Sequence, residues 1–169
     1  MKTALVTGSS GFVGYFTSLA LLDAGWRVVG IDSMSDYYDV TLKQRRQEML
    51  LEHAQFQVVN DKIETPGVLL TLFEQHRPDI VIHLAAFVPV PESVKRPVDF
   101  AENNVVNTVR LLEAMHAAAV SRIVFSSSAT VYGEPSRLPI QEDDRVALQS
   151  NPYGASKVAA EAFLAVYHR

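Results

Sequence analysis

Ala4-Leu5-Val6-Thr7-Gly8-Ser9-Ser10-Gly11-Phe12-Val13-Gly14 is the stretch on which the reading of the chain turns. Ala4 to Val6 is a short apolar run of β character. Phe12 to Ala24 reads as the helix that follows it, with Gly25 at the position of a helix C-terminal glycine. Gly8, Gly11 and Gly14 allow a tight turn and a close approach of a pyrophosphate to the helix N-terminus, where free backbone N–H groups and the helix dipole favour an anion. A glycine cluster alone fits a plain strand-to-helix turn equally well. The dinucleotide reading needs a strand before, a helix after and an acid about 20 residues on. Asp32, closing the second strand, is that acid.

Asp32 also bears on which dinucleotide is bound. A carboxylate there accepts from a ribose 2′-hydroxyl and repels a 2′-phosphate, and Ser33-Met34-Ser35 offers no arginine to hold such a phosphate. The expected cofactor is therefore NAD. The competing role for Asp32 is the capping of a local turn.

Working outward, Arg27 to Ile31, Phe56 to Val59, Ile80 to Ile82 and Arg122 to Phe125 read as further strands. Val40 to His53 reads as a charged surface helix, and Pro66-Gly67 opens another helix. Pro97 begins a long one, in which Val98, Ala101, Val105, Val109, Leu112 and Met115 recur at helical spacing. Pro152 starts the last helix, expected to continue to Arg169. Continuous apolar strands fit parallel strands covered on both faces. Their alternation with helices predicts an α/β fold, a Rossmann-type doubly wound parallel sheet with helices on both faces, as one domain over residues 1–169. Gly133 to Asn151 breaks this rhythm with a Glu142-Asp143-Asp144 cluster and no periodicity, and loops of that length are often functional.

Composition narrows the function classes. The chain has 169 residues, 48% hydrophobic, with a net charge of -4, enough for a real core and without the basic surface that nucleic acid or an anionic membrane demands. It has no cysteine, which excludes disulfides and thiolate chemistry. None of His53, His76, His83, His116 and His168 falls at a metal-ligand spacing, so no metal is expected. Met1 to Gly8 is too short an apolar run for a signal peptide, and no stretch approaches the ~20 apolar residues of a membrane span. A cytoplasmic enzyme is the expectation.

A second motif carries chemistry. Tyr153-Gly154-Ala155-Ser156-Lys157 opens the last helix, and residues four apart share a helix face. A tyrosine hydroxyl titrating near ~10 is a poor base at neutral pH. A neighbouring ammonium favours its phenolate. Ser126-Ser127-Ser128 closes the fifth strand, at the end of the sheet where ligands gather in α/β folds. Ser126 and Ser127 fit a strand-end hydroxyl run equally well.

Taken together these residues resemble the extended short-chain dehydrogenase/reductases, the NAD-dependent epimerase/dehydratase family, over all 169 residues. The Thr7-to-Gly14 turn, the His83-Leu84-Ala85-Ala86 strand end and the Tyr153/Lys157 pair each stand at that family's positions. Gly30 to Val40 looks like the UDP-glucuronate 4-epimerases. Glu92 to Pro97, Asn103-Asn104-Val105 and Phe125 to Gly133 look like the UDP-galactose 4-epimerases. The resemblance implies a catalytic triad of Ser128, Tyr153 and Lys157. It implies cofactor contacts at Gly8, Gly11, Phe12, Val13, Gly14, Asp32, Ser33, Ser35, Leu84, Ala85, Ala86, Asn103 and Ser126, besides Tyr153 and Lys157. The family's acid near the adenine falls at Asp61, where Asn60-Asp61-Lys62-Ile63 shifts the register. Substrate contacts fall at Val88, Ser93, Ser128 and Tyr153, with Val88 standing where the galactose type carries lysine.

The expected activity is NAD-dependent 4-epimerisation of a nucleotide sugar, most simply a UDP-sugar, by a protein that is a homodimer in full-length form. Enzymes of this family run to about twice this length. The second half supplies a sixth strand, a lid over the nicotinamide and most of the sugar-nucleotide pocket. Two other readings stand beside this one: an NAD-binding fragment without catalysis of its own, and a dehydratase or reductase on the same scaffold.

Overall fold

Five strands form one parallel sheet in the order β3-β2-β1-β4-β5: β1 (Thr3–Thr7), β2 (Arg27–Asp32), β3 (Phe56–Asn60), β4 (Ile80–His83) and β5 (Ile123–Phe125). The computed structural model describes residues 1–168 apart from Ser136, Arg145 and Ala147. Arg169, to which the last helix was expected to continue, lies outside the described residues. The chain divides into two compact units, Met1–Ala85 with Glu113–Ser126, and Ala86–Leu112 with Ser127–Arg169.

The first unit holds the whole sheet. β1 is buried along all of its length, as a strand flanked on both sides must be. α1 (Phe12–Asp23), α2 (Val40–Leu51) and α3 (Val68–His76) connect the strands. Val6, Tyr15, Leu22, Val28, Leu50, Phe56 and Ile82 form one buried cluster between strands and helices. The register sets Thr7 opposite Ile31 on one side and His83 on the other, so β1, β2 and β4 end level. β1 lies between β2, its successor in the chain, and β4, which is reached by a crossover. Such a reversal of strand order is the topological switch point at which open α/β sheets take their ligands. The doubly wound α/β arrangement expected from the sequence is therefore the fold.

The second unit is helical, with α4 (Val90–Lys95), α5 (Pro97–Ala101), a π-helical turn Glu102–Val106, the start of α6 (Asn107–Ala117), a 3₁₀ turn Ala129–Tyr132 and α7 (Pro152–Tyr167). Here the structure departs from the sequence reading in two ways. α4 precedes Pro97, where the sequence carried no helix signal. The long helix is also broken by the π-turn, and Val98, head of the predicted apolar stripe, is 66% exposed. The buried face runs instead through Phe100, Asn104, Asn107, Thr108 and Leu111. Its polar members escape an apolar-periodicity count. Asn104 is inside because all its bonds are met. Its Oδ1 accepts from Phe87 N at 2.8 Å and Asn103 Nδ2 at 2.9 Å, and its amide donates to Phe87 O at 2.8 Å and Ser156 Oγ at 3.0 Å. π-turns of this kind occur frequently at functional sites.

Candidate functional site

In the first unit the glycine turn is a backbone device. Gly8 sits at φ +72, a left-handed conformation that side chains rarely adopt, and its N–H donates to Ile31 O at 2.7 Å. A Cβ on Gly14 would lie 2.0 Å from Gly8 O and 2.8 Å from Gly8 C, so the first turn of α1 rests directly on the loop. Gly11 is the N-cap of α1 and supplies no side-chain cap. With no side chain capping it, this helix end can offer its first N–H groups to an anion. Phe12 and Val13 are 64% and 57% exposed at the same end.

β4 meets this turn through one hydroxyl. Thr7 Oγ1 accepts from Leu84 N and Ala85 N, each at 3.1 Å, and lies 2.7 Å from His83 Nδ1. Ala85 N stands 3.0 Å from where a Gly8 Cβ would be. Leu84 and Ala85 are thereby brought beside the turn. Ser126 N donates to His83 O at 3.1 Å, continuing the sheet at the same end.

Asp32 is 5% exposed, and its carboxylate gathers the region. Ser10 N donates to Oδ2 at 3.0 Å and Met34 N to Oδ1 at 2.9 Å. Lys43 Nζ, 3.5 Å from Oδ1, also donates to Ser35 Oγ at 3.1 Å. Asp32 does cap the local turn, the competing sequence role. A carboxylate has about four acceptor sites, and these partners occupy three, leaving one for a ligand hydroxyl. The residues fit a dinucleotide with an unmodified ribose. Lys43 escaped the sequence reading because α2 scans as a charged surface helix, yet it is 6% exposed. Its only signal was its place on the same helical face as Leu50, seven residues on. Ser33 is exposed just beyond β2. Asp61 is engaged locally: Lys62 N and Thr65 Oγ1 donate to Oδ1 at 2.7 and 2.6 Å, which holds its carboxyl below the usual carboxylate range, the Thr65 bond contributing most.

In the second unit α7 begins where Asn151 Oδ1 accepts from Gly154 N at 2.8 Å, with Pro152 in the first turn. Tyr153 and Lys157 follow on one face, 8% and 3% exposed. The Tyr153 ring meets the Phe100 ring edge-on at 6.4 Å. Burial pushes Lys157 down to about 8, against the pull of Glu161 one turn further on. Glu161 also accepts from Ser127 Oγ, a link that nothing in the sequence spacing signalled. The 3₁₀ turn packs against α7. At its head, Ser128 Oγ accepts from Thr130 N at 3.2 Å and Thr130 Oγ1 at 2.9 Å. A hydroxyl has two acceptor lone pairs and one proton, so Ser128 retains its proton for an outside oxygen.

The remaining expected residues are placed as follows. Asn103 donates to Asn104 in the π-turn. Ala86 is half-buried at the start of the second unit. Val88 is 51% exposed. Ser93 is fully buried, its hydroxyl donated to Val90 O at 2.7 Å, so a substrate contact would require that bond to be exchanged. Among the described residues no cluster of His, Asp or Glu is arranged to hold a metal ion, and no helix is long and apolar enough to cross a membrane.

The chain is similar to known proteins along almost its whole length. A UDP-glucose 4-epimerase from Yersinia enterocolitica is 39% identical over 160 residues, which are 95% of this chain and 47% of that protein. A probable UDP-glucuronate 4-epimerase from Rhizobium meliloti is 35% identical over 157 residues, 93% of this chain and 46% of that protein. Among solved structures, the Bifidobacterium longum UDP-glucose 4-epimerase in complex with NAD+ and UDP superposes with a TM-score of 0.88 at 35% identity, over 99% of this chain and 49% of that one. The Bacillus cereus UDP-glucuronic acid 4-epimerase, with UDP-glucuronic acid and NAD, gives 0.88 at 33% identity, over 98% and 52%. The chain thus spans about half the length of the curated relatives it matches. The family described as GDP-mannose 4,6 dehydratase matches residues 5–169. With that match running through both the glycine turn and the Tyr153/Lys157 helix, the chain belongs to the GDP-mannose 4,6 dehydratase group of the NAD-dependent epimerase/dehydratases.

Proposed function

We propose that this chain is the NAD-binding part of a nucleotide-sugar 4-epimerase acting on a UDP-sugar of the glucose/galactose or glucuronate type. The observation that carries the reading is the pair of buried side chains Tyr153 and Lys157 on one face of α7, with Ser128 at the head of the turn packed against it.

In the first unit, the N-terminus of α1 with Gly8, Gly11, Phe12, Val13 and Gly14 takes the pyrophosphate, and Asp32 with Ser33 and Ser35 takes the adenosine ribose. Leu84, Ala85 and Ser126 flank the cofactor, and Asp61 stands as its adenine-side acid. Ala86 and Asn103 are the remaining expected cofactor contacts. NAD, when bound, supplies the acceptance and return of hydride at the sugar carbon.

The chain's own residues handle the proton. Tyr153, as phenolate, takes the proton of the sugar 4-hydroxyl. Lys157 is the ammonium that favours this phenolate. Ser128 donates to the reacting oxygen. The 4-keto sugar turns over, and Tyr153 returns the proton to the epimeric hydroxyl. Val88 and Ser93 border the sugar.

The same scaffold runs dehydrations in other hands. Elimination across C5 and C6 needs a carboxylate beside the catalytic hydroxyl, since a general base contributes typically 10²–10⁴-fold. Ser128 is followed by Ala129 and Thr130, neither of which is an acid. Epimerisation at C4 needs no such base. The test is incubation with NAD and UDP-glucose, UDP-galactose or UDP-glucuronate in deuterated water, read by NMR, using both this chain and the longest form its gene encodes. C4 epimers free of solvent deuterium are expected from the long form, and NAD binding without turnover from the 169 residues alone. A 4-keto-6-deoxy sugar carrying deuterium would replace this reading with a dehydratase. The long form is expected to be a homodimer, checked by light scattering.

A further inference from the structure

An ammonium on a surface helix normally lies in water, and burying one is costly unless it is paired. Lys43 is buried with its Nζ 3.5 Å from Asp32 Oδ1 and 3.1 Å from Ser35 Oγ, and 5.2 Å from the centroid of the Tyr38 ring. The acid that should reject a 2′-phosphate is therefore accompanied by a cation. Ser33-Met34-Ser35, directly after the acid, holds no cation. The cation comes instead from α2, eleven residues beyond the acid.

We propose that Lys43 is a latent phosphate ligand of the dinucleotide site, kept from that role by the charge on Asp32. The inference rests on reading this turn as a dinucleotide site. With Asp32 ionised, the pair is neutral. Lys43 holds the carboxylate in place, and Asp32 keeps one acceptor site for a ribose hydroxyl. The 2′-phosphate is then disfavoured mainly because it lacks that hydroxyl and meets an ammonium already engaged. With Asp32 replaced by a neutral residue, the ammonium loses its counter-ion and becomes the strongest anion ligand at that end of β2. The chain then needs no added arginine to accept NADP. One substitution at Asp32 should invert the cofactor preference, and the inversion should depend entirely on Lys43.

The test is titration calorimetry of the chain with NAD and with NADP at two salt concentrations. The variants are Asp32→Asn, Lys43→Met, the double Asp32→Asn/Lys43→Met and the double Asp32→Asn/Lys43→Arg. Asparagine and methionine approximate the shapes they replace, and thermal melts confirm that each variant folds. The unaltered chain should prefer NAD. Asp32→Asn should prefer NADP by about tenfold, the scale of one charge-assisted hydrogen bond to phosphate, and lose that preference at high salt. Adding Lys43→Met should abolish the NADP preference, whereas Lys43→Arg should keep it. Lys43→Met alone should weaken NAD by about tenfold, because an unpaired carboxylate is left buried. Equal NADP affinity in Asp32→Asn and in Asp32→Asn/Lys43→Met would overturn the role of Lys43 while leaving the dinucleotide reading intact. An unaltered chain that binds neither nucleotide would overturn both.

Discussion

The turn from Gly8 to Gly14 and the first two turns of α7 are built in opposite ways. The first presents backbone. Its glycines are there because Gly8 requires a positive φ and because a Gly14 side chain would collide with Gly8 O. The second presents side chains, Tyr153 and Lys157 on one face of α7 and Ser128 at the head of the 3₁₀ turn packed against it. A site made of backbone cannot be altered without altering the fold. A site made of side chains can lose its chemistry and keep its structure. Substitutions in the two regions should therefore separate stability from activity, and each of the following measurements can break that separation.

The largest effect is expected at Tyr153. Tyr153→Phe removes one hydroxyl, and the ring contact with Phe100 survives. Turnover in the long form should fall by about 10²–10⁴-fold, the usual contribution of a positioned acid–base group. NAD affinity and the urea midpoint should stay unchanged. A retained rate would remove tyrosine from the chemistry, and a lost fold would break the comparison. At the turn, Gly14→Ala should do the reverse. Its Cβ meets backbone only, Gly8 O, Gly8 C and Ser9 Cα at 2.0, 2.8 and 2.9 Å, which cannot swing aside as a side chain can. Overpacking of this kind costs about 3 kcal/mol. Urea unfolding should show that loss together with loss of NAD binding in whatever remains folded.

This difference also explains what the sequence made legible. Backbone devices leave short, local signatures: a strand and a glycine turn could be read because each lies within a few residues of a φ or contact requirement, and Asp32 from its set spacing beyond them. The parallel sheet followed from the apolar runs of β1 and β2, which are buried as such runs predict. Long-range polar contacts leave no such mark. Lys43 looked like a solvated helix charge until the fold carried it to Asp32. Asn104, named only within a resemblance, and Thr108 were not placed on the buried face because an apolar count cannot recognise a polar face that is buried through satisfied bonds. The break at Glu102–Val106 was missed for the same reason, since Asn104 is held by the Phe87 backbone, a partner the helix pattern does not contain.

Lys157 supplies a smaller effect with a distinctive sign. Burial holds it down to about 8 from an ordinary 10.5, so the folded protein bears the cost of a buried ammonium below pH about 8. That cost fades as pH rises from about 8 towards 10.5. Lys157→Met should therefore stabilise the chain at pH 7, by about 1–2 kcal/mol against a ceiling of about 3, while abolishing turnover in the long form. The advantage over the unaltered chain should shrink through pH 9 and 10 in parallel urea titrations. A Lys157→Met chain less stable than the original at pH 7 would show that the lysine holds α7 together, and the side-chain site would then be structural as well.

The smallest effect tests whether the turn region relies on side chains at all. Thr7 is the exception there, because its hydroxyl ties the end of β4 to the turn. Leu84 N and Ala85 N both donate to Oγ1, which fills its two lone pairs. The Thr7 proton must then go to His83 Nδ1 at 2.7 Å, so that nitrogen is an acceptor and the ring proton sits on Nε2. Thr7→Val keeps the β-branched shape inside β1 and removes the three bonds together. Leu84 N still reaches Thr7 O at 3.3 Å, so Ala85 N bears most of the loss. The expected destabilisation is about 1–2 kcal/mol, the cost of one buried donor left unpaired. NAD should weaken by a few-fold as Leu84 and Ala85 loosen, with Tyr153 chemistry unaffected per bound cofactor. Long-range ¹H–¹⁵N correlation of the His83 ring provides the check. The Nε2–H tautomer in the unaltered chain supports this wiring. A proton on Nδ1 would mean that the threonine accepts from the histidine, and that its hydroxyl cannot also hold both backbone N–H groups.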